Sequence, residues 1–239
     1  NGLNGVRFER IPGEEEAFRM VSTDGTRLSL SQCKFLGSLN PEIDEVFENI
    51  LFPQNGLNEI KKLCGVGDSN WTINFGERES LFEKDGVKIT IAMIAGQFPD
   101  YRALVDNLNI PYKAVVNRMD LLDTCRRVGV FVDRNNKAIR MELKDDSAEL
   151  FSKNPDSGSM KENVSVEYVG KERKFSFNFY FLQDILKAVN TEFIEFNLGL
   201  DENSAVLITT PERSDCKFII MPMRLWLGGN SANKVYKTS

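Results

Sequence analysis

The chain has 239 residues, of which 41% are hydrophobic and 27% are charged, an ordinary composition for a globular protein of one or two domains. It contains no histidine, which excludes Ser-His and Cys-His catalysis and removes the commonest metal ligand. The formal net charge is −5, so any contact with nucleic acid requires a local basic face.

Cysteine usage and the absence of targeting patterns predict where the protein resides. The four cysteines form no CxxC pair, and the N-terminus lacks a signal-peptide layout, so we expect reduced thiols in a cytoplasmic protein. No apolar stretch is long enough to cross a membrane. Neither an EF-hand nor a phosphate-binding glycine motif is present, so we expect no cofactor and no enzyme activity, although a carboxylate-only metal site stays open. The missing initiator Met predicts an N-terminally incomplete chain.

Alternating segments predict that strands dominate the fold. Along the chain these are VKITIAMIAG, KAIRMELK, VSVEYVG, KFSFNF and FIEFNLGL, each apolar on one side, as in an antiparallel sheet covered on one face. Three segments with helical spacing interrupt them, each opening with a candidate N-cap: Asn55, Asn117 and Asn178. The helix starts are about 60 residues apart, which indicates a tandem β-α-β-β-β repeat.

Each predicted helix combines an apolar stripe with basic residues elsewhere on its surface. The stripes are Leu57, Ile60 and either Leu63 or Cys64; Leu121, Leu122, Cys125 and Val128; and Leu182, Ile185, Leu186 and Val189. One interpretation of the basic residues is that they face a ligand. The other is that they solvate an exposed helix face, and acidic residues on the same helices favour this second interpretation.

The run FIIMPMRL, residues 218–225, is unusual for a strand. Its two faces are both largely apolar, and it contains a proline, which is uncommon inside a sheet. Methionine is flexible and suits adaptable binding surfaces. The pattern therefore raises the question of whether this run belongs to a core or to a binding surface.

Three motifs together resemble one protein family. TDGTRLSLS (23–31), GQFPDYRALV (96–105) and IIMPMRL (219–225) are similar, in order and spacing, to signatures of the bacterial sliding clamp family, the β subunit of DNA polymerase III. The resemblance implies an α+β DNA clamp fold, with antiparallel sheets outside and helices lining a hole for duplex DNA. It implies an N-terminally incomplete clamp domain two at residues 1–107, clamp domain three at 108–225 and a flexible tail at 226–239. Clamp domain one and the start of domain two would be absent from this chain.

The resemblance also implies a groove that binds short linear peptides of DNA polymerase, clamp loader and repair proteins. Arg27 and Arg224 would bind peptide carboxylates or carbonyls. Thr26 and Ala103 depart from the family pattern, which has His and often Arg there, so the peptide preference is open. The implied groove residues are Leu3, Thr23, Gly25, Arg27, Leu28, Pro99, Leu104, Val206, Ile219, Ile220, Met221, Pro222, Met223, Arg224 and Leu225.

The remaining implied contacts concern the ring. In the family a homodimer encircles duplex DNA without reading its sequence, which acts by topology rather than by catalysis. Val130 and Phe131 match the dimer interface, although a core position is the alternative for both. A truncated clamp that only binds peptides, as a module or decoy, is the alternative function. The candidate DNA-facing residues are Lys61, Lys62, Arg118, Arg126, Arg127 and Lys187.

Overall fold

The computed structural model of the chain describes residues 2–11, 14–34, 50–64 and 70–224, in which short helices interrupt runs of strands. A three-stranded meander is followed by three β-α-β-β-β units, so the repeat predicted from helix spacing is confirmed. The meander comprises β1 (Gly5–Ile11), β2 (Glu14–Thr23) and β3 (Arg27–Lys34). The first unit comprises β4 (Ile50–Pro53), α1 (Gln54–Leu63), β5 (Thr72–Phe75), β6 (Glu79–Lys84) and β7 (Val87–Ala92).

A connecting segment with the short helix α2 (Arg102–Asp106) leads to the other two units. The second unit comprises β8 (Tyr112–Asn117), α3 (Arg118–Val128), β9 (Ala138–Lys144), β10 (Ser147–Asn154) and β11 (Gly158–Tyr168). The third comprises β12 (Arg173–Asn178), α4 (Phe179–Ala188), β13 (Phe193–Leu198), β14 (Val206–Thr210) and β15 (Arg213–Ile220). Short 3-10 turns lie at Gly2–Asn4 and Gly129–Phe131. Among these described elements, no helix is long and apolar enough to cross a membrane.

A single antiparallel sheet joins the two halves of the chain. Its described strands follow the order β12-β9-β10-β11-β8-β13-β14-β15-β3-β2-β1-β4, whereas β5, β6 and β7 form a separate sheet. The halves meet where β15 pairs with β3, with Ile219 opposite Leu28 and Cys216 opposite Ser31. We call this strand pair the seam. Backbone hydrogen bonds therefore continue from the meander into the third unit.

Three hydrophobic clusters fill the described structure. The first core lies among α3, α4 and the strands β8 to β15, and includes the fully buried Phe175, Phe177 and Phe196. The second core joins the meander to the first unit through Phe8, Ile50, Phe52, Phe82 and Ile91. The seam cluster draws residues from both halves: Val21, Leu28, Leu30, Tyr101, Ala205 and Ile219, with Phe98, Val105, Leu108 and Leu207 packed against them.

The seam explains why FIIMPMRL is apolar on both faces. Phe218 and Ile220 belong to the first core, whereas Ile219 between them belongs to the seam cluster. Successive side chains of a strand point to opposite faces, so β15 serves two clusters at once. The strand ends at Ile220, and Pro222 therefore lies beyond the ladder, where its missing N–H costs no sheet hydrogen bond.

Helices α3 and α4 bury their predicted stripes, whereas the stripe of α1 is only partly buried, and one predicted cap is wrong. The Asn117 side chain accepts hydrogen bonds from the N–H groups of Met119 and Asp120, and Asn178 accepts one from Tyr180, so both caps are confirmed. Helix α1 instead begins at Gln54, with Pro53 at the N-cap, so Asn55 lies inside the first turn. Proline is favoured at helix starts because no intrahelical N–H partner is lost there.

Candidate functional site

The turn from Thr23 to Arg27 is held by one carboxylate. Asp24 Oδ1 accepts hydrogen bonds from the Thr26 N–H at 2.9 Å, the Thr26 hydroxyl at 2.7 Å and the Arg27 N–H at 3.0 Å. Gly25 has a φ of +90°, a conformation that favours glycine. Partial burial alone would raise the pKa of Asp24, but the hydrogen bonds from Thr26 and Arg27 outweigh it and lower the pKa below its usual range.

Arg27 fastens this turn to the other half of the chain. Its Nε donates to Asp24 Oδ2 at 2.9 Å, and its Nη1 donates to Asp184 Oδ2 on α4, also at 2.9 Å. The guanidinium lies 4.0 Å from the centroid of the Phe181 ring. Through these two carboxylates Arg27 links the turn to α4, and its role in binding a peptide stays a prediction.

The segment after β15, which we call the closing segment (Met221–Arg224), crosses from one half to the other. The Met221 N–H donates to the Thr26 carbonyl at 2.9 Å, and the Met223 N–H donates to the Ser176 carbonyl on β12 at 2.7 Å. The Met221 side chain is 40% exposed, and Arg224 is exposed. Backbone hydrogen bonds thus fix this segment while its side chains stay available.

The closing segment forms one side of the candidate groove, and residues 97–106, which we call the wall segment, form another. Phe98 and Val105 pack into the seam cluster, whereas Pro99 is exposed and Leu104 is 41% exposed. The N–H groups of Leu104 and Val105 both donate to the Tyr101 carbonyl at 3.1 Å. Segments near residues 25, 100 and 220 therefore meet around the seam cluster, with Leu28 and Ile219 paired beneath them.

A buried carboxylate that the sequence reasoning missed lies behind the wall segment. Glu9 on β1 is only 3% exposed and accepts hydrogen bonds from the Tyr101 hydroxyl and, at 2.9 Å, from Arg102 Nη2. Arg7 and Arg19 are also paired with it, at 2.9 and 3.5 Å. Burial raises the pKa of Tyr101 above its usual range, and the bond to Glu9 raises it further. The only sequence signal was a carboxylate among arginines on one strand.

Two predicted groove residues need correction. Val206 and Ile220 are completely buried in the first core, because their strands turn Leu207 and Ile219 towards the seam instead. They therefore cannot contact a ligand in the groove. Leu3, on the 3-10 turn beside β2, is 40% exposed. Leu225 and the predicted tail at 226–239 lie outside the described residues.

The basic helix residues divide into two groups. Arg118 is buried, and its guanidinium donates to the carbonyls of Thr191 at 2.7 Å and Leu186 at 3.1 Å, so its assignment as a DNA-facing cation is wrong. The other five are exposed on α1, α3 and α4, and α3 packs against α4. They are Lys61, Lys62, Arg126, Arg127 and Lys187.

Acidic and polar neighbours moderate this basic surface. Arg126 pairs with Asp123 at 2.8 Å, and Lys62 pairs with Glu59 at 2.7 Å. Hydrogen bonds from Arg127 lower the pKa of Glu162 on β11. Beside α1 an open depression of about 530 Å³ is lined by Asn55, Asn58, Glu59, Lys61 and Lys62. Exposed ion pairs are weak and readily exchanged, so these cations remain accessible to a polyanion.

The predicted interface residues differ from each other in burial. Val130 is 73% exposed, whereas Phe131 is half-buried, its ring lying close to the backbone of Gly158. Within the described residues, no group of three or more Cys, Asp or Glu side chains is arranged to hold a metal ion.

Comparison with solved structures identifies the class of protein. The DnaN sliding clamp of Bartonella birtlesii bound to griselimycin matches with a TM-score of 0.84 at 25% identity, covering 94% of this chain and 59% of that chain. The DNA polymerase sliding clamp of Pseudomonas aeruginosa with ligand matches with a TM-score of 0.82 at 26% identity, covering 94% of this chain and 58% of that chain. The predicted α+β clamp fold is therefore confirmed.

Sequence comparison then gives the family. The descriptions "DNA polymerase III beta subunit, central domain" and "DNA polymerase III beta subunit, C-terminal domain" match residues 1–100 and 109–224. The beta sliding clamps of Haemophilus influenzae and Pseudomonas aeruginosa are 29% and 28% identical over 224 and 227 residues, in each case 93% of this chain. The chain spans 58% of the length of these two relatives. It belongs to the DNA polymerase III beta subunit family.

Proposed function

We propose that this chain forms part of a sliding clamp, a non-catalytic protein that holds a replicative DNA polymerase on duplex DNA. The observation that carries the proposal is the meeting of the Thr23–Arg27 turn, the wall segment and the closing segment around the seam cluster. Tethering raises the effective concentration of a polymerase at the primer end without any chemical step. The relatives' shared name, beta sliding clamp, supports this role.

The groove between these three segments is the proposed docking site for short peptides of polymerase, clamp loader and repair proteins. Its exposed apolar side chains, Met221 and Leu104, lie beside backbone fixed by hydrogen bonds. A pre-organised apolar surface binds a peptide with little ordering cost. Methionine can repack around different partners, which suits one groove that serves several of them.

Griselimycin, which is bound to the Bartonella birtlesii clamp, is the probe for this groove. We expect Met221→Ala to weaken griselimycin binding at least about tenfold in calorimetric titration, because burying such a side chain contributes about 1.5–3 kcal/mol. The matched control is Met119→Ala on α3, since Met119 is 44% exposed and Met221 40%. Met119→Ala should bind like the unmodified chain.

Equal affinity of the two methionine variants would place the binding site elsewhere on the molecule. Circular dichroism of both variants separates loss of a contact from loss of the fold. The Met221 main chain supplies the hydrogen bond to Thr26, so truncating its side chain leaves that bond in place.

The exposed cations of α1, α3 and α4 are the proposed contacts to duplex DNA. Contacts between such side chains and phosphates are independent of sequence and weaken with salt, as a sliding ring requires. Their test is the salt dependence of duplex binding by charge-reversed variants.

In the whole ring, exposed Val130 with Phe131 is the proposed contact to a second subunit. Analytical ultracentrifugation of a longer, ring-forming protein that carries Val130→Glu tests that contact. A dimer fraction equal to that of the unmodified protein would disprove it.

A further inference from the structure

The short helix of the wall segment has little stability of its own. Helix α2 has only five residues and buries none of them, and isolated helices of this length are unstable in water. The first turn of this helix is held by the Tyr101 carbonyl, which accepts hydrogen bonds from the N–H groups of both Leu104 and Val105. Whatever fixes Tyr101 therefore fixes the side chain of Leu104 at the groove.

Tyr101 is fixed from two directions. Its ring is 5% exposed in the seam cluster and meets the Phe98 ring edge-on at 6.3 Å. Its hydroxyl donates to Glu9 Oε1 and accepts from Arg19 Nη1 at 3.1 Å. Ring packing alone would allow the Tyr101 ring to shift along its neighbours, whereas a hydrogen bond from its hydroxyl to a buried carboxylate fixes both the distance and the direction between the two groups.

Glu9 links the sheet to the wall segment. Arg19 lies directly opposite Glu9 on β2, and Arg7 lies two residues earlier on the same strand, so the sheet itself supplies two cations. The wall segment supplies Tyr101 and Arg102 to the same carboxylate. A buried carboxylate needs compensating partners, and here part of that compensation comes from the segment that lines the groove.

We propose that Glu9 is a positioning residue of the groove: its carboxylate holds Tyr101 and Arg102, and through them the wall segment with Pro99 and Leu104, against β1. The inference rests on the proposed function and adds a residue that touches no ligand. It predicts that the affinity of the groove for its ligand depends on the Glu9 carboxylate, which lies beneath the wall segment and outside the groove. The coupling runs through side-chain hydrogen bonds and not through the backbone ladder.

The test compares Glu9→Gln, Tyr101→Phe and Arg102→Gln, each of which removes one part of the network. Griselimycin titration measures the affinity of the groove. Hydrogen exchange at the Leu104 and Val105 amides measures how firmly the wall segment is held in place. We expect at least about fivefold weaker binding in each variant, with faster exchange at these two amides. The double variant Glu9→Gln/Tyr101→Phe should lose less than the sum of the single losses, because both act through one contact.

Lys161→Gln is the matched control, because it removes the partner of Glu149, a cross-strand ion pair between β10 and β11 remote from the seam. It should leave both readouts unchanged. Unaltered affinity and exchange in Tyr101→Phe, which keeps the packed ring, would overturn the proposal even if Glu9→Gln fails to fold. If the unmodified chain does not bind griselimycin, the proposed groove fails, and unchanged exchange in the variants would separately show that Glu9 does not hold the wall.

Discussion

Two asparagines that look alike in the sequence have different roles in the structure. Asn117 precedes α3, and its side-chain oxygen accepts from Met119 N–H at 3.0 Å and Asp120 N–H at 3.2 Å. Asn55 is an exposed residue within α1, which starts one residue earlier. The first N–H groups of a helix have no intrahelical acceptor, so only the asparagine outside the helix compensates for them.

We expect Asn117→Ala to lower the free energy of unfolding by about 1 kcal/mol, because the cap is lost. Asn55→Ala should change it by less than about 0.5 kcal/mol, since alanine is a good helix former at an exposed site. Urea denaturation of the two variants beside the unmodified chain measures both values. Similar losses in the two variants would mean that the asparagine side chains stabilise their helices in some other way.

Residue type alone did not reveal the partners of the arginines. Arg118 opens α3 at a position that a helical pattern makes solvent-facing, yet it donates to carbonyls at 186 and 191, where α4 ends. Arg27 sits in a motif associated with the groove, yet Asp24 and Asp184 engage it. Apart from the local bond to Asp24, these contacts join residues 68 to 157 positions apart, and no local pattern carries them.

At the scale of elements, the helices combine an inward apolar stripe with an outward polar face that includes lysine and arginine. Lys61 and Lys62 lie in the last turn of α1, and Lys187 lies in the last turn of α4. Cations near a helix C-terminus are favoured by the helix dipole whatever else they bind. Their position alone therefore does not distinguish a DNA contact from a stabilising surface charge.

Charge reversal distinguishes these two roles. We expect Lys61→Glu and Lys187→Glu each to weaken binding of a labelled DNA duplex and to reduce the slope of log K against log salt by about 0.9 per lost phosphate contact. The control Lys153→Glu, at an exposed position of β10, makes the same change in net charge. Fluorescence anisotropy across a salt series gives the slopes. An equal effect of all three reversals would mean that only the net charge of the molecule matters.

The sequence predicted the elements better than their junctions. Period-two alternation and the helix spacing were enough to predict the β-α-β-β-β units, because each strand and helix covers its own core with one face. The alternation did not predict that Val206 faces the first core while Ala205 belongs to the seam cluster. That choice depends on β15 pairing with β3, a contact between residues nearly 190 positions apart that only the folded sheet brings together.

At the scale of the whole molecule, the seam couples the two halves by three kinds of interaction. Backbone hydrogen bonds run between β3 and β15, the seam cluster buries side chains from both halves, and Arg27 reaches Asp184 across them. Chains of this length often unfold in more than one step. A junction of this kind favours a single cooperative transition, since neither half can unfold without exposing the seam cluster.

We expect the unmodified chain to unfold in one calorimetric transition, and Ile219→Ala to separate it into two. Ile219 is 1% exposed, lies opposite Leu28 and belongs to the cluster that joins the halves, so its truncation weakens their coupling more than either core. Ile139→Ala is the control, because Ile139 is fully buried within the first core. Both substitutions should lower the free energy of unfolding by about 2–5 kcal/mol, but only Ile219→Ala should divide the transition.

A single transition in Ile219→Ala, with equal calorimetric and van't Hoff enthalpies, would show that the ladder and the Arg27 contact suffice to couple the halves without the seam cluster. Two transitions already present in the unmodified chain would show that the halves fold independently.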